Sequence, residues 1–102
     1  MGADMSDLLQ HAGAAAALLK QLANQNRLMI VCTLLGKELS VGELNQTVPL
    51  SQSALSQHLA SLREAELVST RREGQTIYYR LNGDKAQRVV SLLKDMYCPD
   101  RG

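Results

Sequence analysis

Residues 50–81, LSQSALSQHLASLREAELVSTRREGQTIYYRL, divide into a short helix with one polar face and a two-stranded hairpin that carries arginines. In the first part Leu55, Leu59 and Leu62 recur at intervals of four and three and so share a face, while Ser53, Ser56, Gln57, Ala60 and Glu64 project from the opposite one. Ser51 stands where an N-cap belongs, after a Val48-Pro49-Leu50 break that ends whatever precedes it. Upstream, Ser40 and Glu43 have the spacing of a capping box for a helix from Val41 to about Thr47, with Val41 and Leu44 facing inward. Two short helices joined by a tight turn are a helix-turn-helix unit, and the second is the one expected in a major groove.

The hairpin follows at once. Leu67 and Val68 open a strand that runs to Arg72, Glu73-Gly74-Gln75 turns the chain, and Thr76 to Leu81 returns. Ile77, Tyr79 and Leu81 alternate with Thr76, Tyr78 and Arg80, the period of a half-buried hairpin, and Gly74 supplies the permissive backbone of a tight turn. Arg71, Arg72 and Arg80 are expected to gather around this projecting loop, where they can neutralise phosphates beside a groove.

The polar helix face has matching chemistry. Ser51, Ser53, Ser56 and Gln57 can meet phosphate oxygens or base edges, and Gln has bidentate geometry for adenine. Arg63 lies near the helix end, where a cation also favours the dipole. His58 falls at the edge of the apolar face, so a structural role and a phosphate or base contact both stay open. A merely solvated helix and hairpin is the bland alternative, and the order short helix, helix, hairpin weighs against it.

Net charge alone does not point to DNA. Eleven basic residues face ten acidic ones, and in residues 39–80 four arginines are balanced by Glu43, Glu64, Glu66 and Glu73, so binding has to rest on local placement of arginines. With 102 residues, 45% hydrophobic composition and no Trp or Phe, the chain has room for one domain with a modest aliphatic core that association can complete. No apolar run reaches membrane-spanning length and no charged start precedes an apolar segment, so the cytoplasm is the expected location and no membrane partner is expected. Residues 1–5 and 99–102 read as flexible ends.

Helices flank the motif. Residues 7–23 predict a helix with Leu8, Ala12, Ala15, Leu19 and Leu22 along one stripe, and Asn24 or Asn26 can cap a central helix that ends at Gly36. After Asn82-Gly83, Asp84 can cap a last helix bearing Val89, Leu92, Leu93, Met96 and Tyr97. The fold expected is a mainly α winged helix-turn-helix in the order α-α-α-α-β-β-α. Its first and last helices have more apolar surface than the motif covers, and pairing them across a twofold axis gives a homodimer that presents two recognition helices to an inverted-repeat operator in double-stranded DNA.

Leu28, LSVGEL at 39–44, LSQSALSQHLASLREAELV at 50–68 and GQTIYYRL at 74–81 together resemble the small winged-helix repressors of the ArsR/SmtB family over nearly the whole chain. The resemblance implies a homodimer of five helices and a wing that loosens its hold on operator DNA when a ligand or chemical change arrives. It also puts Ser53, Ser56, Gln57 and His58 on recognition-helix positions, and Leu28 and Leu39 in the core. Family members that sense arsenic, cadmium or lead begin the first helix of the motif with Cys-Val-Cys, and the two cysteine places here are Ser40 and Gly42. Members that sense zinc, cobalt or nickel carry aspartate and histidines on the last helix, but residues 85–98 contain no histidine, which leaves Asp84 better read as a cap. No metal or other cofactor is therefore expected.

Two cysteines remain, Cys32 in the central helix and Cys98 beside Pro99, without a Cys-x-x-Cys pattern. One reading makes Cys32 a small buried hydrophobe and Cys98 an incidental thiol. The other follows from the resemblance, because the branch that regulates haemolysin, biofilm and sulfide-response genes has a cysteine on its second helix and another at the end of its last, and Cys32 and Cys98 look like that pair. This branch implies a DNA-binding regulator whose affinity responds to an oxidant or a sulfane-sulfur donor. A metal-responsive repressor with a non-standard site, a constitutive regulator with inert cysteines and a winged helix that docks on protein are the competing readings. An enzyme is not expected, since the two histidines and scattered carboxylates form no catalytic constellation.

Overall fold

The computed structural model describes residues 5–98, so of the two segments expected to be loose ends only Met5 falls among the described residues, and it begins a helix. The helix expected over 7–23 is broken in two, α1 (Met5–Gln10) and α2 (Ala12–Leu22). At the break the His11 N–H bonds to the Leu8 carbonyl at 3.0 Å, and the His11 ring Nδ1–H donates at 2.9 Å to the Asp7 carbonyl that a continuous helix would have given to that N–H. No residue of α1 is buried, so no packing holds it in line with α2.

Asn24, rather than Asn26, caps α3 (Gln25–Thr33), its Oδ1 accepting from the N–H groups of Asn26 and Arg27 at 2.9 and 3.0 Å. Gly36, at φ 66°, turns the chain into a two-residue strand, β1 (Leu39–Ser40), and then α4 (Val41–Thr47). Both halves of the Ser40–Glu43 capping box are formed. Ser51 Oγ accepts from the Ala54 N–H at 3.1 Å to start α5 (Gln52–Glu64).

The exit from α5 is a Schellman turn. The Leu67 N–H reaches the Leu62 carbonyl and the Glu66 N–H the Arg63 carbonyl, both at 2.9 Å, with Glu66 held at φ 64°. Leu62 and Leu67 are both buried, which supplies the apolar contact that accompanies this motif. The chain then forms β2 (Val68–Glu73), β3 (Thr76–Leu81) and α6 (Lys85–Tyr97). Asp84 does not cap α6 as expected. Its backbone, at φ −122° and ψ 0°, is not in the extended conformation from which an N-cap side chain reaches back, and the carboxylate instead pairs with Arg88 at 4.0 Å.

α3 is central, packing against α2, α4, α5 and α6. Ile30, Val31 and Leu34 meet Leu44, Val48, Leu55, Leu59 and Leu62, with Val68, Ala86 and Val90 closing the cluster. Leu28 and Leu39, expected in the core, pack against it while partly buried. The strands make an antiparallel sheet in the order β1-β3-β2, with Leu39 opposite Tyr79, Ser40 opposite Tyr78 and Arg71 opposite Tyr78 on the other side. The hairpin is less buried than its alternation suggests, because its tip runs past the core and leaves Ile77 exposed. Leu8 and Leu19 near the start, and Leu92, Met96 and Tyr97 on α6, leave apolar side chains uncovered at 54–79% exposure. Among the described residues no helix is long and apolar enough to cross a membrane.

Candidate functional site

α5 turns Leu55, Leu59 and Leu62 into the core and holds Ser53, Ser56 and Gln57 in solvent, where their side chains make no hydrogen bond among the described residues. Ser51 is exposed too, but its oxygen is engaged as the cap. His58 is half-buried at the border of the two faces, and Arg63 is exposed in the last turn. Arg63, Ser56, Ala60 and Glu64 line a shallow cleft whose far wall is Tyr79 of β3. The hydrogen-bonding face of α5 therefore runs directly into the wing. Sequence alternation marks Tyr79 only as a hairpin position; its place opposite Leu39 on the core side of the sheet is what brings it to α5.

The sheet register sorts the arginines. Val68, Thr70 and Arg72 share the face of Leu81, Tyr79 and Ile77, which is the face toward α5, whereas Ser69, Arg71 and Glu73 share the opposite face with Arg80, Tyr78 and Thr76. The three wing arginines are thus not one cluster. Arg72 is exposed near the tip, with its Nε–H donating to the Gly74 carbonyl at 3.2 Å. Arg80 donates from Nε to Ser69 Oγ at 3.4 Å.

Arg71 is held on three sides. Its Nε and Nη2 grip the Glu38 carboxylate at 2.8–3.1 Å, Nη1 donates to Glu73 at 3.1 Å, and the guanidinium lies 4.8 Å from the centre of the Tyr78 ring. The hydrogen bond from Arg71, aided by the charges of Arg71 and Arg80, draws the Glu38 carboxyl below its ordinary range against a smaller opposing effect of desolvation. Glu38 did not stand out in the sequence, because its role depends on β1 pairing with β3, a contact that no local pattern announces.

The two cysteines are both free and exposed, Cys32 on α3 and Cys98 as the residue that ends α6, where its N–H reaches the Lys94 carbonyl at 2.7 Å. α3 and α6 pack together. Partial burial of the thiol raises Cys32 above the ordinary 9.0, and the charge of Cys98 raises it further. Cys32 is exposed rather than the buried small hydrophobe that one reading of the sequence makes it. Among the described residues no three His, Cys, Asp or Glu side chains come together as a metal-binding group.

A helix-turn-helix whose second helix presents free hydrogen-bonding groups beside a three-stranded wing defines a winged-helix DNA-binding protein. Residues 24–70 match the family described as bacterial regulatory protein, arsR family. The chain is 47% identical over 95 residues to the transcriptional activator HlyU of Vibrio cholerae serotype O1, covering 93% of this chain and 88% of that protein. Its fold superposes on reduced HlyU from Vibrio cholerae N16961 with a TM-score of 0.84 at 49% identity, covering 90% of this chain and 97% of that one. It superposes on the transcriptional repressor BigR from Xylella fastidiosa with a TM-score of 0.88 at 44% identity, covering 94% and 98%. The chain belongs to the arsR family and is a DNA-binding transcription regulator rather than an enzyme.

Proposed function

We propose that two copies of this chain bind an inverted-repeat operator in the cytoplasm and that bridging Cys32 to Cys98 weakens their hold. The observation that carries this reading is a pair of free, exposed thiols, one on α3 and the other at the residue that ends α6, two helices that pack together. In support, a solved relative of this chain is named as the reduced form of HlyU.

The operator is read by Ser53, Ser56 and Gln57, with Ser51, His58 and Arg63 at the edges of α5 and Arg72 meeting phosphate from the α5-facing side of the wing. Arg80 lies on the opposite face and adds only longer-range attraction. The dimer forms through the uncovered apolar side chains of α1, α2 and α6, namely Leu8, Leu19, Leu92, Met96 and Tyr97.

Partial burial disfavours the Cys32 thiolate, so the first attack is assigned to Cys98. Its thiolate attacks a hydroperoxide ROOH to give the sulfenic acid and RO⁻, and Cys32 then displaces water to close the disulfide, so two thiols supply the two electrons the peroxide takes. With a persulfide donor RSSH, Cys98 takes the outer sulfur and releases RS⁻, after which Cys32 displaces H₂S to leave the disulfide. Where both thiols first carry the extra sulfur, loss of H₂S leaves a trisulfide. The bridge ties α6, in the dimer seam, to α3 beneath the reading helix. A changed spacing of the two α5 helices then penalises simultaneous binding of both half-sites. A coupling of about 1–3 kcal/mol lowers affinity by roughly 5–150-fold.

Mass spectrometry of intact protein after peroxide or persulfide treatment tests this chemistry. The reading expects an intramolecular Cys32–Cys98 linkage in place of two free thiols, and persistent unmodified thiols under both treatments would refute it.

A further inference from the structure

We propose that Glu38 is a wing-positioning residue that locks Arg71 into an internal brace and so withholds it from DNA, leaving Arg72 as the wing's phosphate-binding arginine. This rests on the DNA-binding reading of α5 and the wing. All three guanidinium nitrogens of Arg71 already donate to carboxylates, two of them to Glu38 in fork geometry, and the cation lies over the Tyr78 ring. One N–H on each Nη stays free, but the Glu38 and Glu73 carboxylates already balance the cation, so a phosphate gains little from Arg71 while they hold it. Glu38 sits just before β1, which pairs with β3, while Arg71 is on β2 at the other edge, so the ion pair spans the sheet from edge to edge across Tyr78 on β3. The face that holds this brace carries Glu38 and Glu73 against Arg71 and Arg80 and is electrically balanced. The opposite face, toward α5, has Arg72 and no carboxylate among its paired strand residues. The wing therefore presents positive charge on the side of the reading helix and a neutralised surface on the other.

An exposed ion pair of this kind contributes little to stability, so its consequence is directional. Without Glu38, a phosphate becomes the stronger competitor for Arg71, and binding to any duplex gains one salt-sensitive contact per protomer. Glu38 thus restrains sequence-independent affinity.

The test measures binding of the full chain to a mixed-sequence DNA duplex over a range of salt concentrations, with Glu38→Gln, Arg71→Ala, Arg72→Ala and the double variant Glu38→Gln/Arg71→Ala. Each phosphate contact adds about 0.9 to the slope of log affinity against log salt. Arg72→Ala should lower the slope by about that amount per protomer, Arg71→Ala should leave it nearly unchanged, and Glu38→Gln should raise it by a similar increment. The double variant should return to the wild-type slope, which attributes the gain to Arg71 rather than to the altered net charge. A loss of slope in Arg71→Ala as large as in Arg72→Ala overturns the proposal, and that arm leaves Glu38 intact. An undiminished gain in the double variant overturns it equally. If the wild-type chain shows no salt-dependent binding to duplex DNA, the DNA-binding reading falls, and this inference with it.

Discussion

Cys98 ends α6, which packs on α3, and its charge adds to the larger effect of burial in raising the Cys32 thiol of α3 above its ordinary value. Removing the Cys98 side-chain sulfur takes away the smaller of the two causes. In Cys98→Ser protein the pH at which Cys32 is half-reactive toward an alkylating reagent should therefore move down toward 9.0 without reaching it. In the wild type the protonated Cys32 is favoured by folding, so its stabilising contribution is complete below pH 9.0 and is lost as the pH rises through the raised folded value. An unchanged alkylation profile in Cys98→Ser would show that the thiols do not interact.

The reading helix and the wing should fail in different ways. Gln57→Ala should cost about 1–3 kcal/mol on a preferred operator and little on other sequences if Gln57 reads a base edge. Arg72→Ala should weaken binding to many sequences alike, as competition titrations against mixed DNA will show. Equal sequence dependence for the two variants contradicts the assignment.

Glu66 holds φ 64° at the end of α5, where glycine is the residue without a steric penalty. Glu66→Gly should raise stability by about 0.5–1 kcal/mol, the relief of the left-handed conformation exceeding the entropy that glycine adds to the unfolded chain. Denaturant unfolding measures this directly, and a destabilised variant would mean that the Glu66 side chain contributes more than its backbone costs.

The apolar strip on α6 makes a separate prediction. Leu92, 56% exposed, contributes to the face proposed to join two copies, so Leu92→Glu should dissociate the dimer in sedimentation experiments while leaving each domain folded. A Leu92→Glu protein that remains dimeric places the interface elsewhere.

Much of this was legible in the chain because it is local. The capping residues Ser40, Glu43 and Ser51 and the spacing of Leu55, Leu59 and Leu62 set the helix-turn-helix through contacts within a few residues. The return strand Thr76–Leu81 followed from alternation, whereas the first strand runs from Val68 to Glu73 rather than from Leu67 to Arg72, which leaves Gly74-Gln75 as the turn. The break at His11 was not legible, since alanine-rich sequence favours an unbroken helix and only missing tertiary support lets the His11 ring compete for a backbone acceptor. Asp84 had the composition of a cap but not the backbone conformation. The separation of Arg71 and Arg80 from Arg72 is implicit in strand alternation, yet the occupation of Arg71 by Glu38 depends on a pairing between distant strands. That Cys32 and Cys98 fall on two helices that pack together likewise depends on how α6 returns to α3, and only the resemblance to a known family, not any spacing in the chain, marks them as a pair.

The central claim is tested most directly by titrating one operator duplex with reduced and peroxide- or persulfide-treated protein, in the wild type and in Cys98→Ser. The account predicts equal affinity for the two reduced proteins, a loss of roughly 5–150-fold for the treated wild type, and no loss for treated Cys98→Ser. A treated wild type that binds as tightly as the reduced one, or a Cys98→Ser protein that weakens to the same extent, would contradict it.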